Sequence, residues 1–328
     1  HMSTDASTDP VIVATARSPI GRAFKGSMAE IRPDDLSAQI VNRVLEKVPE
    51  LPTEEIEDLI MGTGSPGGEQ GFNIGRATAV LAGLGDVPGT TVNRYCSSSL
   101  QTIRMAAHAI KAGEGDAFIA AGVECVSRYG KGNADSLPDT ANPIFKAPGE
   151  RSKVRAEGGH GDWTPPDGLP DLFIAMGQTA ENVAELKGVS REAMDEYGVM
   201  SQNKAEAAIS RGFFEMDITP VTMPDGTVVT TDDGPRAGVT LDAVSQLNPV
   251  FRPDGRVTAG NACPLNDGAA AVVVMSRKRA EELGITPLAR IIASSVSALN
   301  PEIMGLGPIE AIKRVMARAN MTMSDIDL

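Results

Sequence analysis

The 328-residue sequence has only three cysteines, Cys96, Cys125 and Cys263. So sparse and odd a set argues against a disulfide framework and for a reducing compartment, so a cytoplasmic location is expected. None stands in a C-x-x-C pair or at ligand spacing from a histidine, so no metal site is expected. Basic residues are also short. Thirty Lys and Arg face 43 Asp and Glu, for a net charge of −13. Nucleic-acid binding needs a basic face that releases phosphate counterions, and this balance argues against it. No apolar run nears the ~20 residues of a membrane helix, so no membrane partner is expected. His1-Met2 reads as a cloning remnant, and residues 3–10 lack the apolar core of a signal peptide. What is present is a 41% hydrophobic fraction, enough for a globular chain of two domains or one large one.

The first 125 residues alternate between two kinds of pattern. Val11-Ile12-Val13-Ala14, Leu59-Ile60-Met61, Thr91-Val92-Asn93 and Ala117-Phe118-Ile119-Ala120 read as short buried strands. Helices are expected from a cap at Asp34 or Asp35 to about residue 47, over 73–84, and from Cys96 to a stop at Gly113. This alternation argues for an α/β layered domain. Residues 128–171 are rich in Gly, Pro and charge and read as a long lid, a binding loop or a partly disordered excursion. An amphipathic helix is expected over 190–211, and a turn at Pro224-Asp225-Gly226 between two short strands. A turn at Asn266-Asp267-Gly268 then leads into the apolar strand Ala271-Val272-Val273-Val274. A faint repeat relates residues 43–59 to 314–328, each reading as helix, loop and strand start.

Gly62-x-Gly64-x-x-Gly67 follows a strand, with Asp86 further on, and matches the dinucleotide-binding fingerprint. It is a weak match, because the loop follows the second strand rather than the first and Pro66 removes an N–H from the phosphate cradle, and a tight turn is the better reading. Cys96 is the stronger candidate. At a strand-to-helix junction, free backbone N–H groups and the helix dipole favour a thiolate and can hold an oxyanion. A small buried apolar residue is the other reading of the same cysteine. His108 lies three turns into the helix and cannot fold back as its base, and His160 sits in a Gly-rich loop. Lys146, Arg151, Lys153 and Arg155 form a basic run, read as a solvated loop or as attraction for a phosphorylated substrate.

Five segments together resemble the thiolase family of acyl-CoA acetyltransferases. They are Ala16-Arg17-Ser18-Pro19-Ile20-Gly21, Val92-Asn93-Arg94-Tyr95-Cys96-Ser97-Ser98, and Met176-Gly177-Gln178-Thr179-Ala180-Glu181-Asn182. The others are Thr258-Ala259-Gly260-Asn261 with Asn266-Asp267-Gly268-Ala269-Ala270-Ala271, and Met304-Gly305-Leu306-Gly307-Pro308. The resemblance implies an α/β fold, a five-layer α-β-α-β-α sandwich of two similar halves with an inserted loop domain, the second half incomplete. It implies an N-terminal half over 3–125, a CoA-binding loop domain over 126–250, a return to the first half over 251–270, and the start of the second half over 271–328.

The function so implied is thiolytic cleavage of 3-ketoacyl-CoA by CoA, in β-oxidation, through an acyl-enzyme on Cys96. CoA enters as a substrate, and no tightly bound cofactor is expected. CoA contacts carried over by position fall on Met176, Arg236, Phe251, Ala259, Cys263, Leu265 and Met304. The implied partners are CoA, 3-ketoacyl-CoA and further copies of the chain, as a homodimer or homotetramer. Asn93-Arg94 before Cys96 and Ala175 before Met176 resemble the degradative branch. Departures from the family pattern are Ser99 and Ala121 in place of Gly, Cys125 in place of Ser, and Ala243 and Cys263 where some members place serines. Asn-Glu-Ala-Phe, Gly-His-Pro and Cys-x-Gly-Gly segments are not found, so the chain ending at Leu328 is expected to be an inactive fragment. In that case Asp325-Ile326-Asp327-Leu328 would open a strand, and 271–274 would lie in an unfinished, edge-exposed sheet. A ketosynthase-like condensing enzyme and a non-catalytic CoA- or lipid-binding protein are the alternatives.

Overall fold

The structure, a computed structural model, describes residues 5–132 and 140–328. The strands are β1 (Pro10–Arg17), β2 (Gly21–Arg22), β3 (Ile56–Gly62), β4 (Gly89–Val92), β5 (Ala117–Cys125), β6 (Val221–Thr222), β7 (Val228–Val229), β8 (Asn266–Ser276) and β9 (Ala289–Arg290). The α-helices are α1 (Pro33–Glu46), α2 (Ile74–Leu81), α3 (Ser98–Ala112), α4 (Lys146–Ala156), α5 (Met176–Lys187), α6 (Arg191–Ser210), α7 (Leu241–Ser245), α8 (Arg277–Glu282) and α9 (Gly307–Ala319). The chain divides into two compact units, the first comprising residues 1–137, 212–234 and 265–294, the second the remainder.

The first unit is built on a mixed sheet in the order β4-β3-β5-β8-β1-β9, with β2 added beside β8. β3 runs parallel to β4 and β5, whereas β8 is antiparallel to both β5 and β1. The apolar strands alternate sides at period two. Leu59, Met61, Ile119, Ala121, Val273 and Met275 face a core that also takes Leu36, Ile40 and Val44 of α1 and Ile74 of α2. Ile60, Phe118, Ala120 and Val274 face the opposite way, against Ala106 and Ile110 of α3. Helices therefore cover both faces, which is why these strands read as continuous apolar runs.

Several expectations are corrected. Helix α1 starts at Pro33, with Arg32 as its uncapped N-cap residue, and Asp34 lies in the first turn paired to Arg32. Helix α2 is capped by Asn73 and stops at Leu81, before the left-handed Gly83. Asn266-Asp267-Gly268 belongs to β8 rather than to a turn, because Asp267 is buried between Gly21 of β2 and Cys125 of β5. The 271–274 run lies in the middle of the sheet, paired on both sides, not at an exposed edge. Part of the 128–171 excursion, residues 133–139, lies outside the described residues, but α4 occupies 146–156. Residues 326–328 form no strand, since a Thr322–Asp325 capping box instead closes a 3-10 turn before them. The turn at Pro224-Asp225-Gly226 is found as expected, between β6 and β7.

The second unit has few buried aliphatic residues and is organised around the polar face of α5. Gln178, Glu181, Asn182 and Glu185 recur at helical spacing on that face. Arg252, almost fully buried, donates to Gln178 Oε1 at 2.7 Å, to Asn182 Oδ1 at 2.7 Å and to Glu185 Oε1 at 2.5 Å. Glu181 accepts from the backbone of Arg256 and Val257 at 2.8 and 2.7 Å. The buried carboxylate of Glu302 accepts from Arg151 Nη2 at 3.0 Å, Trp163 Nε1 at 3.3 Å and the Asp171 amide at 3.0 Å. A network in which the buried carboxylates meet their donors can stand in for an apolar core, although Nε of Arg155, beside Glu185, is left without a partner.

Candidate active site

Strands β3, β4 and β5 run in one direction, and their carboxyl ends come together as Gly62, Val92 and the Glu124–Cys125 step. In α/β sheets that end is where a chain leaving a strand can present a side chain to a ligand. From Val92 the chain enters a single 3-10 turn, Tyr95–Ser97, and then α3. Cys96 lies in that turn, and its side chain is exposed.

The turn holds itself together with side chains of its own segment. Asn93 Oδ1 accepts from the Tyr95 amide at 2.7 Å, while Ser98 Oγ accepts from the Arg94 amide at 2.8 Å and donates to the Tyr95 carbonyl at 2.6 Å. The amide of Cys96 is left out of these bonds, and no side chain caps α3. The Ser97 and Ser98 amides donate to the Arg94 and Tyr95 carbonyls, so the Cys96 amide is the donor this turn leaves for a developing oxyanion. Tyr95 adopts a left-handed backbone with φ of 45°, rare for a residue with a β-carbon, while its ring is 73% exposed.

The glycines of the 62–67 loop act by close approach. A β-carbon on Gly62 would lie 2.5 Å from the Ser98 carbonyl carbon and oxygen. One on Gly64 would lie 3.1 Å from Glu124 Oε2 and 3.4 Å from Tyr95 Cα. Gly62 thus serves the packing of the Cys96 turn and Gly64 the approach of the Glu124 carboxylate, roles that need no dinucleotide. Behind the loop, Glu124 Oε1 accepts from Thr63 Oγ1 at 2.9 Å and Gln70 Nε2 at 2.8 Å, and Oε2 accepts from the Gly64 amide at 2.8 Å. Sequence reading missed both Glu124 and Gln70. The signal was a carboxylate ending a buried apolar strand, where only a paired charge is tolerated.

The other cysteines behave differently. Cys125 is buried at the end of β5, and burial, together with the nearby Asp267 and Glu124 carboxylates, pushes its thiol up. Cys263 is exposed in the second unit. His108 projects from the exposed side of α3, and His160 is exposed beyond the end of α4. Among the basic run, Arg151, Lys153 and Arg155 lie on α4 and pair with Glu302, Glu150 and Glu185. Those pairings favour a structural role over attraction of a phosphate.

Of the residues expected to contact CoA, three gather at the start of α5 and the elements packed on it. Met176 begins the helix, and Phe251 lies so close to Gly177 that a β-carbon there would overlap its ring. Gln178 Nε2 donates to the Phe251 carbonyl at 2.7 Å. Met304 lies in the 301–306 segment, which is tied to α5 by Asn182 Nδ2 donating to the Glu302 carbonyl at 2.9 Å. Ala259 and Cys263 are exposed on the segment between Phe251 and β8. Exposed Arg236 is anchored through its amide to Gln202 Oε1 at 3.0 Å. Leu265, 63% exposed, belongs to the first unit, where its carbonyl accepts from Ala23. Among the described residues no cluster of His, Cys, Asp and Glu could hold a metal ion, and no helix is long and apolar enough to cross a membrane.

Comparison with known proteins agrees with this geometry. Residues 10–278 match the thiolase N-terminal domain family. A β-ketoadipyl-CoA thiolase of Acinetobacter baylyi is 40% identical, over 97% of this chain and 78% of its own. An acetyl-CoA acetyltransferase of Cupriavidus necator is 42% identical, over 98% and 79%. A 3-ketoacyl-CoA thiolase of Bacillus subtilis is 39% identical over the same shares. Among solved structures, the acetyl-CoA acetyltransferase of Bacillus anthracis superposes with a TM-score of 0.80 at 33% identity, over 98% of this chain and 78% of its own. With its α/β fold and an exposed cysteine at the head of α3, the chain belongs to the thiolase family of acyltransferases.

Proposed function

We propose that Cys96 is the nucleophile in the thiolytic cleavage of 3-ketoacyl-CoA by CoA, in the degradative direction. The thiolate adds to the 3-keto carbon, and the bond between C2 and C3 breaks. The electron pair leaves as the acetyl-CoA enolate, which takes up a proton. The thiol of CoA then attacks the Cys96 thioester, releasing the shortened acyl-CoA and returning the cysteine thiol. The observation that carries this reading is the placement of Cys96, exposed at the head of an uncapped helix with its own amide unpaired. A thiolate there gains from the dipole, and a tetrahedral oxyanion gains from the same donors.

CoA binding through Met176, Phe251, Met304, Arg236, Ala259, Cys263 and Leu265 belongs to the same proposal. It is supported by large apolar side chains left exposed at 37–63% among them. The expected domain division (3–125, 126–250, 251–270 and 271–328), a cytoplasmic location and a homodimer or homotetramer also belong to it. Assembly is supported by β4, an edge strand that pairs with β3 alone among the described residues, and by the fully exposed Phe72, whose neighbour Asn73 bonds Gly89 and Thr91 of β4.

Incubation with acetoacetyl-CoA and CoA, with acetyl-CoA followed by chromatography, tests the reading. An acyl adduct on Cys96 is expected, and it should vanish in Cys96→Ala. Thiolysis that survives the substitution would remove Cys96 as nucleophile.

A further inference from the structure

We propose that Glu124 is a positioning residue for Cys96, acting through Gly64 and the left-handed Tyr95. The inference rests on the reading of Cys96 as nucleophile. Glu124 is the next-to-last residue of β5 and lies beside the end of β3, where Gly122 pairs with Gly62. Its carboxylate takes donors from two parts of the chain leaving β3: Thr63 and Gly64 directly, and Gln70 from the turn beyond. Gln70 completes the brace, donating also to Thr63 Oγ1 at 2.7 Å and the Ser65 carbonyl at 2.9 Å, and accepting from the Cys125 amide at 2.7 Å. Thr63 Oγ1, Gln70 Nε2 and the Gly64 amide all donate to the carboxylate oxygens.

The brace is joined to the nucleophile turn by contact. The Gly64 amide that Glu124 holds belongs to a residue lying against Tyr95, whose Cα and carbonyl carbon stand at ordinary contact distance, 3.4 and 3.5 Å, from a β-carbon placed on Gly64. Tyr95 cannot owe its backbone conformation to burial of its ring, which faces solvent. The conformation is held by Asn93 and Ser98 from within the turn and by Gly64 from behind it. A loosened Gly64 would let Tyr95 relax toward ordinary backbone angles. The next residue, Cys96, would then turn away from the donors at the head of α3. Glu124 does not touch Cys96, and its effect is on the direction in which the thiolate points.

The test is Glu124→Gln in the full chain. Glutamine keeps the shape but turns an N–H₂ group toward donors, so at least one bond of the brace is lost. Alkylation by iodoacetamide is followed at Cys96 and at Cys263 in the same sample, across a pH series, with thermal unfolding measured alongside. The expected result is a Cys96 rate lower by up to about 10-fold, because a thiol turned from the helix head loses the dipole that favours its thiolate. Its pH profile should also move toward higher pH, with Cys263 unchanged. Gly64→Ala, whose β-carbon would press on the Glu124 carboxylate at 3.1 Å, should give the same pattern and carries the test if Glu124→Gln fails to fold. A folded variant with unchanged Cys96 rate and profile overturns the proposal, as does an equal slowing of Cys96 and Cys263. Acylation of wild-type Cys96 by acetoacetyl-CoA separates the two levels. A wild-type adduct with unaltered variants sinks the positioning role alone, and no wild-type adduct sinks the nucleophile reading and this proposal together.

Discussion

Ser99 and Gly122 occupy one small space. A β-carbon on Gly122 would overlap the Ser99 hydroxyl oxygen and lie 2.8 Å from its Cβ. Gly122→Ala is therefore expected to cost about 1–3 kcal/mol through overpacking at the foot of α3. Ser99→Gly in the same chain should restore most of the loss, so urea midpoints of the two single variants and the double variant should show strong coupling. Additive costs would mean that the strand backbone, not the serine, is the obstacle. The serine at 99 is visible in sequence as a departure from the family pattern. Its consequence is not, because the matching glycine is on another element. The same holds for Cys96. Its residue type and helix-start position are legible, whereas the tilt given to it by Tyr95, Gly64 and Glu124 comes from three separate segments.

At the level of elements, α5 shows why half of the molecule resisted reading. Gln178, Glu181, Asn182 and Glu185, spaced three and four apart, have the pattern of a solvated helix face. The structure buries that face instead, because Arg252, Arg256 and Glu302, far along the chain, arrive to satisfy it. The strands of the first unit were readable because apolar period-two runs decide their own burial. The polar face of α5 acquires its meaning only from distant partners. Glu302 is the strongest test. Glu302→Ala should strip acceptors from Arg151, the Trp163 indole and the Asp171 amide. Removing one member of such a buried pair typically costs about 3–5 kcal/mol. Limited proteolysis should then cut faster between α4 and α5, and an unchanged cleavage rate there would count against Glu302 as the anchor of that connection.

On the scale of the whole molecule, buried carboxylates give the fold a pH dependence of mixed sign. Burial raises Asp58 on β3, whose Oδ1 has no hydrogen-bond partner, and the neighbouring Glu57 adds to the effect. A raised carboxyl favours folding while protonated, so its contribution is lost as pH rises through its folded value. Asp9 is the opposite case. Burial raises it, but the hydrogen bonds of Arg290 and Arg277 outweigh burial and hold it below the usual range. Its contribution is present near neutrality and lost as pH falls. Asp58→Asn should therefore raise the unfolding temperature at neutral pH, with the gain shrinking as pH falls toward the ordinary aspartate value of 3.8. A gain that is constant with pH would show that ionisation is not its source.

The position of β8 also sets an order of assembly. Residues 266–276 lie between β5 and β1, so strands made near the start of synthesis remain separated until this late segment emerges. At roughly 5–20 residues per second, the nascent chain waits on the order of tens of seconds with the facing edges of β1 and β5 unpaired. During that interval it presents two open strand edges, the kind of surface that chaperones bind and that pairs wrongly between neighbouring chains. Ribosome-bound chains stalled before residue 266 should be protease-sensitive in β1 and associate with chaperones, and chains stalled after β8 has cleared the tunnel should do neither. The yield of folded protein is then governed by the interval between the first strand and the one that joins it to the rest.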